Sequence, residues 1–174
     1  MQTLAASLAK RNFSWGWRDS EASYLELNDG SMVRSDCIWH TNDAPVLVVV
    51  HGIGGSSLST YMQGLSHKAY REGWNAVLLN LYNCNSELRH PKIFHAGASS
   101  ELGELLNLLI TRRQIKVLFL AGISMGANIL LKLMGEWGTH FPPSVRAAAV
   151  ISPLVDLPNS WDILEKPCNL IFQR

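Results

Sequence analysis

The residue best suited to chemistry in this sequence is Ser124, at the centre of Gly122-Ile-Ser-Met-Gly126. Glycines two positions before and after a serine permit a tight backbone corner that a Cβ would obstruct. The apolar run Val117 to Leu120 predicts a strand before the motif, and apolar residues at helical spacing predict a helix after it. With both elements present, a serine nucleophile at a strand-to-helix turn is favoured over a serine that only caps the helix. The helical positions are Ile129, Leu130, Leu133, Met134 and Trp137.

A glycine-rich loop, His51-Gly-Ile-Gly-Gly-Ser-Ser57, follows a second apolar run, Val46 to Val50. Such a run is typical of a strand buried on both faces of a parallel sheet, and ligands bind at the carboxyl ends of these strands. In acyl-transfer enzymes a loop of this kind supplies one backbone N–H to the oxyanion, and the residue after the nucleophile supplies another. We predict Ile53 and Met125 as these backbone donors, with Gly54 as the alternative to Ile53.

Other interpretations of these residues are weaker. The glycine loop lacks the Lys-Ser/Thr ending of a nucleotide-phosphate loop and does not fit Gly-x-Gly-x-x-Gly, so a nucleotide-binding domain is the weakest hypothesis. His51 is interpreted as structural, because in a strand-turn-helix hydrolase the base follows the nucleophile in the chain. His95 is interpreted as a capping or partly exposed histidine. The remaining histidines do not have metal-ligand spacing, and we predict neither a metal nor a cofactor.

The elements that must position Ser124 and the glycine loop alternate along the chain. An antiparallel hairpin comes first, because Asn28-Asp-Gly-Ser31 is a strong turn signal between two alternating segments. Strands and helices then alternate four times, which predicts an α/β fold with a mostly parallel sheet flanked by helices. The hairpin strands are Tyr24 to Leu27 and Met32 to His40, at a sheet edge. Later helices are Tyr61 to Arg71 and Ala98 to Ile110, and later strands are Ala76 to Asn80 and Ala147 to Ile151.

Composition limits the functional classes. The 174 residues are 47% hydrophobic with a net charge of +1, which predicts one globular domain over residues 1–174 and gives no sign of a nucleic-acid partner. Residues 1–20 are interpreted as an N-terminal extension. Three well-separated cysteines, Cys37, Cys84 and Cys168, indicate reduced thiols and a cytoplasmic location. No apolar run is long enough to span a membrane.

Taken together, these motifs resemble the α/β-hydrolase superfamily and, within it, the YheT-like branch of abhydrolase-domain proteins. The resemblance implies hydrolysis of carboxylic, and by analogy lipid, esters through an acyl-enzyme on Ser124. The chain departs from the pattern at Leu81 to Ser86, where the branch usually has an Arg-Gly pair, and at Ser99-Ser-Glu-Leu. The matching stretches are Leu27-Asn-Asp-Gly30 with Trp39, His51 to Ser57, Phe94-His-Ala-Gly97, Ala121 to Lys132, and Ser152-Pro-Leu-Val-Asp156.

The resemblance also implies two further strands, which carry the catalytic acid and histidine. We therefore expect this chain to be truncated before them, with both groups beyond Arg174. Asp156 follows the Ala147 to Ile151 strand on the correct side of the sheet, but in this branch that position looks structural. His140 is expected on the opposite side. The alternative function is a non-catalytic binding or interaction module, and the unpaired edge after residue 151 predicts self-association.

Overall fold

The computed structural model describes residues 20–82, 84 and 95–164. The predicted N-terminal extension lies outside these residues, except for residue 20. Phe94, the first residue of the Phe94-His-Ala-Gly97 stretch, also lies outside them. The strands are β1 Glu21–Glu26, β2 Met32–Ile38, β3 Val46–Val50, β4 Asn75–Asn80, β5 Leu118–Ile123 and β6 Val145–Ile151. The helices are α1 Thr60–Arg71, α2 Ser100–Thr111, α3 Met125–Trp137, a 3₁₀ turn at Gly138–His140, and α4 Leu157–Leu164.

The strands form one sheet in the order β1-β2-β4-β3-β5-β6. The first hairpin is antiparallel and lies at the edge, as predicted, and β2 joins β4 in antiparallel pairing. From β4 onward every pairing is parallel, with Val48 opposite both Val77 and Leu120. This mixed, mostly parallel sheet confirms the predicted α/β class. Consecutive parallel strands are joined through helices, so their carboxyl ends meet at one edge of the sheet.

Helices cover both faces of the sheet because the central strands are apolar on both faces. On one face, Met62 of α1 packs with Val49, Leu78 and Ala121. The other face meets α2 and α3 in the larger core cluster, which includes Leu106 and other buried leucines of these helices. All six residues of β4 are buried. The apolar runs therefore form the centre of a three-layer sandwich, which gives the two predicted functional loops a rigid base.

Strand β6 differs from the other parallel strands in its exposure. It pairs only with β5 in the described sheet, and Val145 is its one buried residue. Val150 and Ile151 are 36% and 46% exposed. Among the helices of the described residues, none is both long and apolar enough to cross a bilayer.

Most element boundaries fall within a few residues of the sequence predictions, with two informative differences. Strand β5 continues through Gly122 and Ile123 rather than ending at Leu120. These residues extend the strand because they pair with Val50 and Ile151 on its two sides, a tertiary effect that overrides local propensity. Helix α4 was not predicted at all. It begins directly after Asp156, whose side chain accepts the Asn159 N–H at 3.0 Å.

Candidate active site

Ser124 occupies the corner between β5 and α3 in a strained conformation. Its φ and ψ are 53° and −117°, a region that non-glycine residues rarely adopt. The backbone around it fixes this geometry, because the Ser124 N–H donates to Ile151 O at 2.8 Å and the Ser124 carbonyl accepts from Ala127 N at 2.9 Å and Asn128 N at 3.2 Å. The structure therefore places Ser124 at the tip of β5, as the sequence predicts, with its side chain partly exposed.

The flanking glycines are required by close packing. A Cβ on Gly122 would lie 2.6 Å from Gly126 O, and a Cβ on Gly126 would lie 2.5 Å from both Val50 O and His51 O. Neither glycine has a positive φ. Their function is to let α3 cross the ends of β5 and β3 without a side chain between them. The strain of the corner is thus concentrated on the serine itself.

The glycine loop lies directly against Ser124. A Cβ on Gly52 would be 3.0 Å from the Ser124 Cβ and 3.6 Å from its Oγ. The Gly52 N–H donates to the Tyr61 hydroxyl at 3.2 Å, and Gly52 O accepts the Gly55 N–H at 3.1 Å. The loop is therefore a closed turn whose first glycine allows it to contact the serine.

His51 is a structural residue of this loop. Its ring is fully buried, Nε2 accepts the Leu81 N–H at 3.1 Å, and Nδ1 lies 2.7 Å from Gly52 O. Since Nε2 is the acceptor, the proton lies on Nδ1 and is donated to Gly52. Burial lowers the pKa of His51, although the bond to Gly52 partly opposes this effect. A neutral ring with both nitrogens engaged in this way is unsuited to act as the base for Ser124.

The predicted oxyanion donors belong to the two elements that meet at Ser124, the glycine loop and α3. Met125 is the first residue of α3, and the N–H groups of a first helical turn do not have partners within the helix. Ile53 follows Gly52 at the turn of the loop, with its side chain 72% exposed. Gly54, the alternative donor, has a φ of +66°. The site thus offers backbone N–H groups and the positive end of a helix dipole next to a hydroxyl.

Among the residues that the structure describes, neither the acid nor the base of a triad lies beside Ser124. Within the described part of the chain, no side chain forms a hydrogen bond with the Ser124 hydroxyl. Asp156 caps α4 through Asn159 and, by its carbonyl, Ser160. His140 lies exposed in the 3₁₀ turn, on the stretch that leads into the opposite end of β6. His95 is exposed, and its Nδ1 accepts the Gly97 N–H at 3.1 Å.

Other nucleophiles and metal sites find little support among the described residues. Burial raises the pKa of the Cys37 thiol to about 11, so this cysteine is protonated and unreactive at neutral pH. Burial also raises the pKa of Cys84. Cys168 lies outside the described residues. No group of three or more histidine, cysteine, aspartate or glutamate side chains in the described ranges could hold a metal ion.

A polar cluster beneath the glycine loop was missed by the sequence analysis. Asp36 of β2, Ser57 at the end of the loop and Asn80 at the end of β4 are all buried and bonded to one another. A signal was present, since Asp36 interrupts the alternation of β2 and Asn80 ends an apolar strand. Those features alone do not show that the three side chains meet.

Comparison with known proteins finds esterases among the relatives of this chain. No family model matches the chain. Over 182 aligned residues it is 31% identical to YheT of Escherichia coli K12, an esterase by name, and the match takes in 100% of this chain and 51% of YheT. It is 30% identical to medium-chain fatty acid ethyl ester synthase/esterase 2 of Saccharomyces cerevisiae, covering 86% of this chain and 31% of the yeast protein. The chain therefore spans about half the length of YheT, and less of the yeast enzyme.

Solved structures show the same architecture. An esterase from Pyrococcus furiosus superposes with a TM-score of 0.68 at 17% identity, over 83% of this chain and 56% of that one. The α/β hydrolase GrgF from a Penicillium species gives a TM-score of 0.67 at 15% identity, over 88% of this chain and 53% of its own. At these identities the likeness establishes the fold.

Proposed function

This chain has the α/β-hydrolase fold and resembles the YheT-like esterases, and we propose that it carries the nucleophile of a carboxylic ester hydrolase. The observation that supports this most directly is the conformation of Ser124. A φ of 53° costs a serine of the order of 1–3 kcal/mol, and a serine that merely capped a helix would not need it. The strained corner instead holds the hydroxyl at the edge of the sheet where ligands bind.

The proposed reaction has two half-reactions. In the first, Ser124 Oγ loses its proton to a base and forms a bond to the ester carbonyl carbon. The carbonyl oxygen becomes an oxyanion, which the Met125 and Ile53 N–H groups stabilise. The alcohol then leaves with the proton. In the second half-reaction water, deprotonated by the same base, attacks the acyl-enzyme and releases the acid with Ser124 restored.

The proposal takes the base and its acidic partner from polypeptide beyond Arg174. Two observations support this: no described side chain bonds to the Ser124 hydroxyl, and the chain covers 51% of YheT. The substrate class follows from the relatives, whose names include an esterase of medium-chain fatty acid ethyl esters and a monoacylglycerol lipase. We propose an ester of a fatty acid as the substrate of the complete enzyme, in the cytoplasm.

A second candidate function is a non-catalytic interaction module. The observation that favours it is again the absence of a base at Ser124 within the described ranges. The two candidates differ in whether the serine reacts as a nucleophile. They share the fold, so stability measurements do not separate them.

The test is the reaction of the purified 174-residue chain with p-nitrophenyl acetate and with a fluorophosphonate, followed by intact mass. Without a base, the oxyanion donors and binding alone leave roughly 10³ to 10⁴ over the rate in water. We therefore expect slow hydrolysis of p-nitrophenyl acetate that largely persists in Ser124→Ala, because water can attack without the serine, and weak fluorophosphonate labelling that disappears in that variant. Ser152→Ala is the matched control, because Ser152 likewise follows directly after a strand, β6, and has a φ of 52°.

Three results would change this proposal. Equal fluorophosphonate labelling of the chain, Ser124→Ala and Ser152→Ala would remove the hydrolase function and leave the interaction module. Rapid turnover that depends on Ser124 would show a base within the 174 residues. Loss of labelling in Ser152→Ala, with labelling kept in Ser124→Ala, would show that the nucleophile is Ser152 and that Ser124 was the wrong choice.

A further inference from the structure

The buried cluster beneath the glycine loop joins three separate elements. Asp36 Oδ2 accepts the Ser57 hydroxyl at 2.5 Å and the Asn80 amide at 2.9 Å. Asn80 Oδ1 in turn accepts the Ser57 backbone N–H at 2.8 Å. The three residues are 2%, 0% and 0% exposed. Ser57 is thus held through both its side chain and its backbone by residues of β2 and β4.

The charge of Asp36 is also balanced within the protein. Arg34, two residues earlier on the same face of β2, donates to Asp36 Oδ1 at 2.7 Å through Nη2 and at 3.2 Å through Nε. A buried carboxylate without such partners would be strongly destabilising. Both oxygens of the carboxylate therefore have fixed hydrogen bonds, one set to β2 and the other to the loop and β4.

His51, at the other end of the loop, is bonded to the residue that follows Asn80. Leu81, which directly follows Asn80, donates its N–H to His51 Nε2 at 3.1 Å. The loop from His51 to Ser57 is consequently tied at its first and last residues to the carboxyl end of β4. Between those two anchors lie Gly52, against Ser124, and Ile53, the proposed oxyanion donor.

We propose that Asp36, Asn80 and Ser57 are positioning residues, which set the location of the oxyanion loop relative to Ser124. This inference rests on the proposed function and adds residues that do not touch the reacting atoms. The physical reason is that an oxyanion donor must lie about 2.7–3.1 Å from the oxygen on which the charge develops, so a small displacement weakens it. A displacement of about 1 Å can cost about 100-fold in rate, comparable to removing one donor.

The test compares two buried serines that differ in location. Ser57→Ala removes the hydroxyl that bonds to Asp36. The control, Ser66→Ala, removes a hydroxyl from an equally buried serine of α1 that bonds only to Gln63 O, at 3.0 Å. Each 174-residue variant is treated with a fluorophosphonate over a range of concentrations, and its amide hydrogen exchange is measured over the peptide covering residues 51–57.

We expect Ser57→Ala to lower the maximal phosphonylation rate at Ser124 by roughly 10- to 100-fold with little change in the half-saturating concentration. Exchange over residues 51–57 should also accelerate. Ser66→Ala should change neither quantity, even if its midpoint of thermal unfolding falls by a similar amount. That difference separates a positioning role from a general loss of stability.

If the two variants behave alike in labelling and exchange, the positioning role is wrong. If the unsubstituted chain does not label at all, the proposed hydrolase function fails, while the exchange comparison still decides whether Ser57 fixes the loop. Should Ser57→Ala not fold, Arg34→Gln is the alternative variant. It removes the ion pair between Arg34 and Asp36, and the Arg34 side chain is 25% exposed. That variant should also accelerate exchange over residues 51–57, and unchanged exchange would overturn the proposal.

Discussion

A Cβ placed on Gly126 would lie 2.5 Å from the carbonyl oxygen of Val50, so the first turn of α3 rests directly on the end of β3. Real Cβ atoms essentially never approach a backbone oxygen this closely. The contact joins the helix that follows Ser124 to the strand that precedes the glycine loop. The two halves of the proposed site therefore meet through backbone at Gly126, and a side chain at this position must push them apart.

Gly126→Ala should destabilise the protein and Gly135→Ala should stabilise it, although both replace a glycine of α3. At Gly126 the added methyl forces overpacking, which typically costs about 1–3 kcal/mol. Gly135 is exposed with nothing within 4 Å of the added Cβ, so the higher helix propensity of alanine should contribute about 0.5–1 kcal/mol. Urea denaturation with a shared slope measures both changes. Stabilisation by Gly126→Ala would contradict the packing described here.

Ser124 and its glycines could be predicted from sequence because they act locally. The spacing of Gly122 and Gly126 around the serine, with a strand before and a helix after, depends only on neighbouring residues. The same is true of the hairpin at Asn28-Asp-Gly-Ser31. Local patterns therefore predicted the strand-to-helix corner at Ser124, the glycine loop and most elements.

The Asp36 cluster could not be predicted in this way. Its bonds link residues 21 and 44 positions apart, and they depend on the antiparallel register that sets Arg34 opposite Asn80. A hydrophobic pattern does not specify that register between distant strands. The end of β5 was misjudged for a related reason, since Gly122 is a poor strand former that is extended by its neighbours.

The stability of the fold should fall as the pH is lowered through the range of His51. Burial lowers the pKa of this ring in the folded state, so the unfolded chain binds the proton more readily. The contribution is fully present above the unfolded pKa of about 6.5 and is lost progressively as the pH falls below it. Urea denaturation between pH 7.5 and 5 should show this decrease, and His51→Gln should reduce its slope. His140→Gln is the exposed-histidine control, and an equal effect of both substitutions would contradict the assignment.

The exposed strand β6 should cause the 174-residue chain to associate. Its outer edge is unpaired in the described sheet and Val150 and Ile151 are exposed, so a second copy can add its own β6. Light scattering during size-exclusion chromatography should show dimers or larger species. Val150→Lys should shift the chain toward monomer, whereas Leu58→Lys, at a 50% exposed leucine away from this edge, should not. A compact monomer with cooperative unfolding would rule out the association.

Ser124→Gly should stabilise the fold while removing the nucleophile. The positive φ at this position is costly for serine and not for glycine, and such strain is of the order of 1–3 kcal/mol. Ser124→Ala removes the same hydroxyl but keeps a Cβ, so the strain should remain. The difference in unfolding free energy between these two variants therefore measures the strain held at the corner, apart from the greater entropy of glycine in the unfolded chain. If Ser124→Gly is instead less stable than Ser124→Ala, the backbone at Ser124 is relaxed and the strongest structural support for a nucleophile at this position is lost.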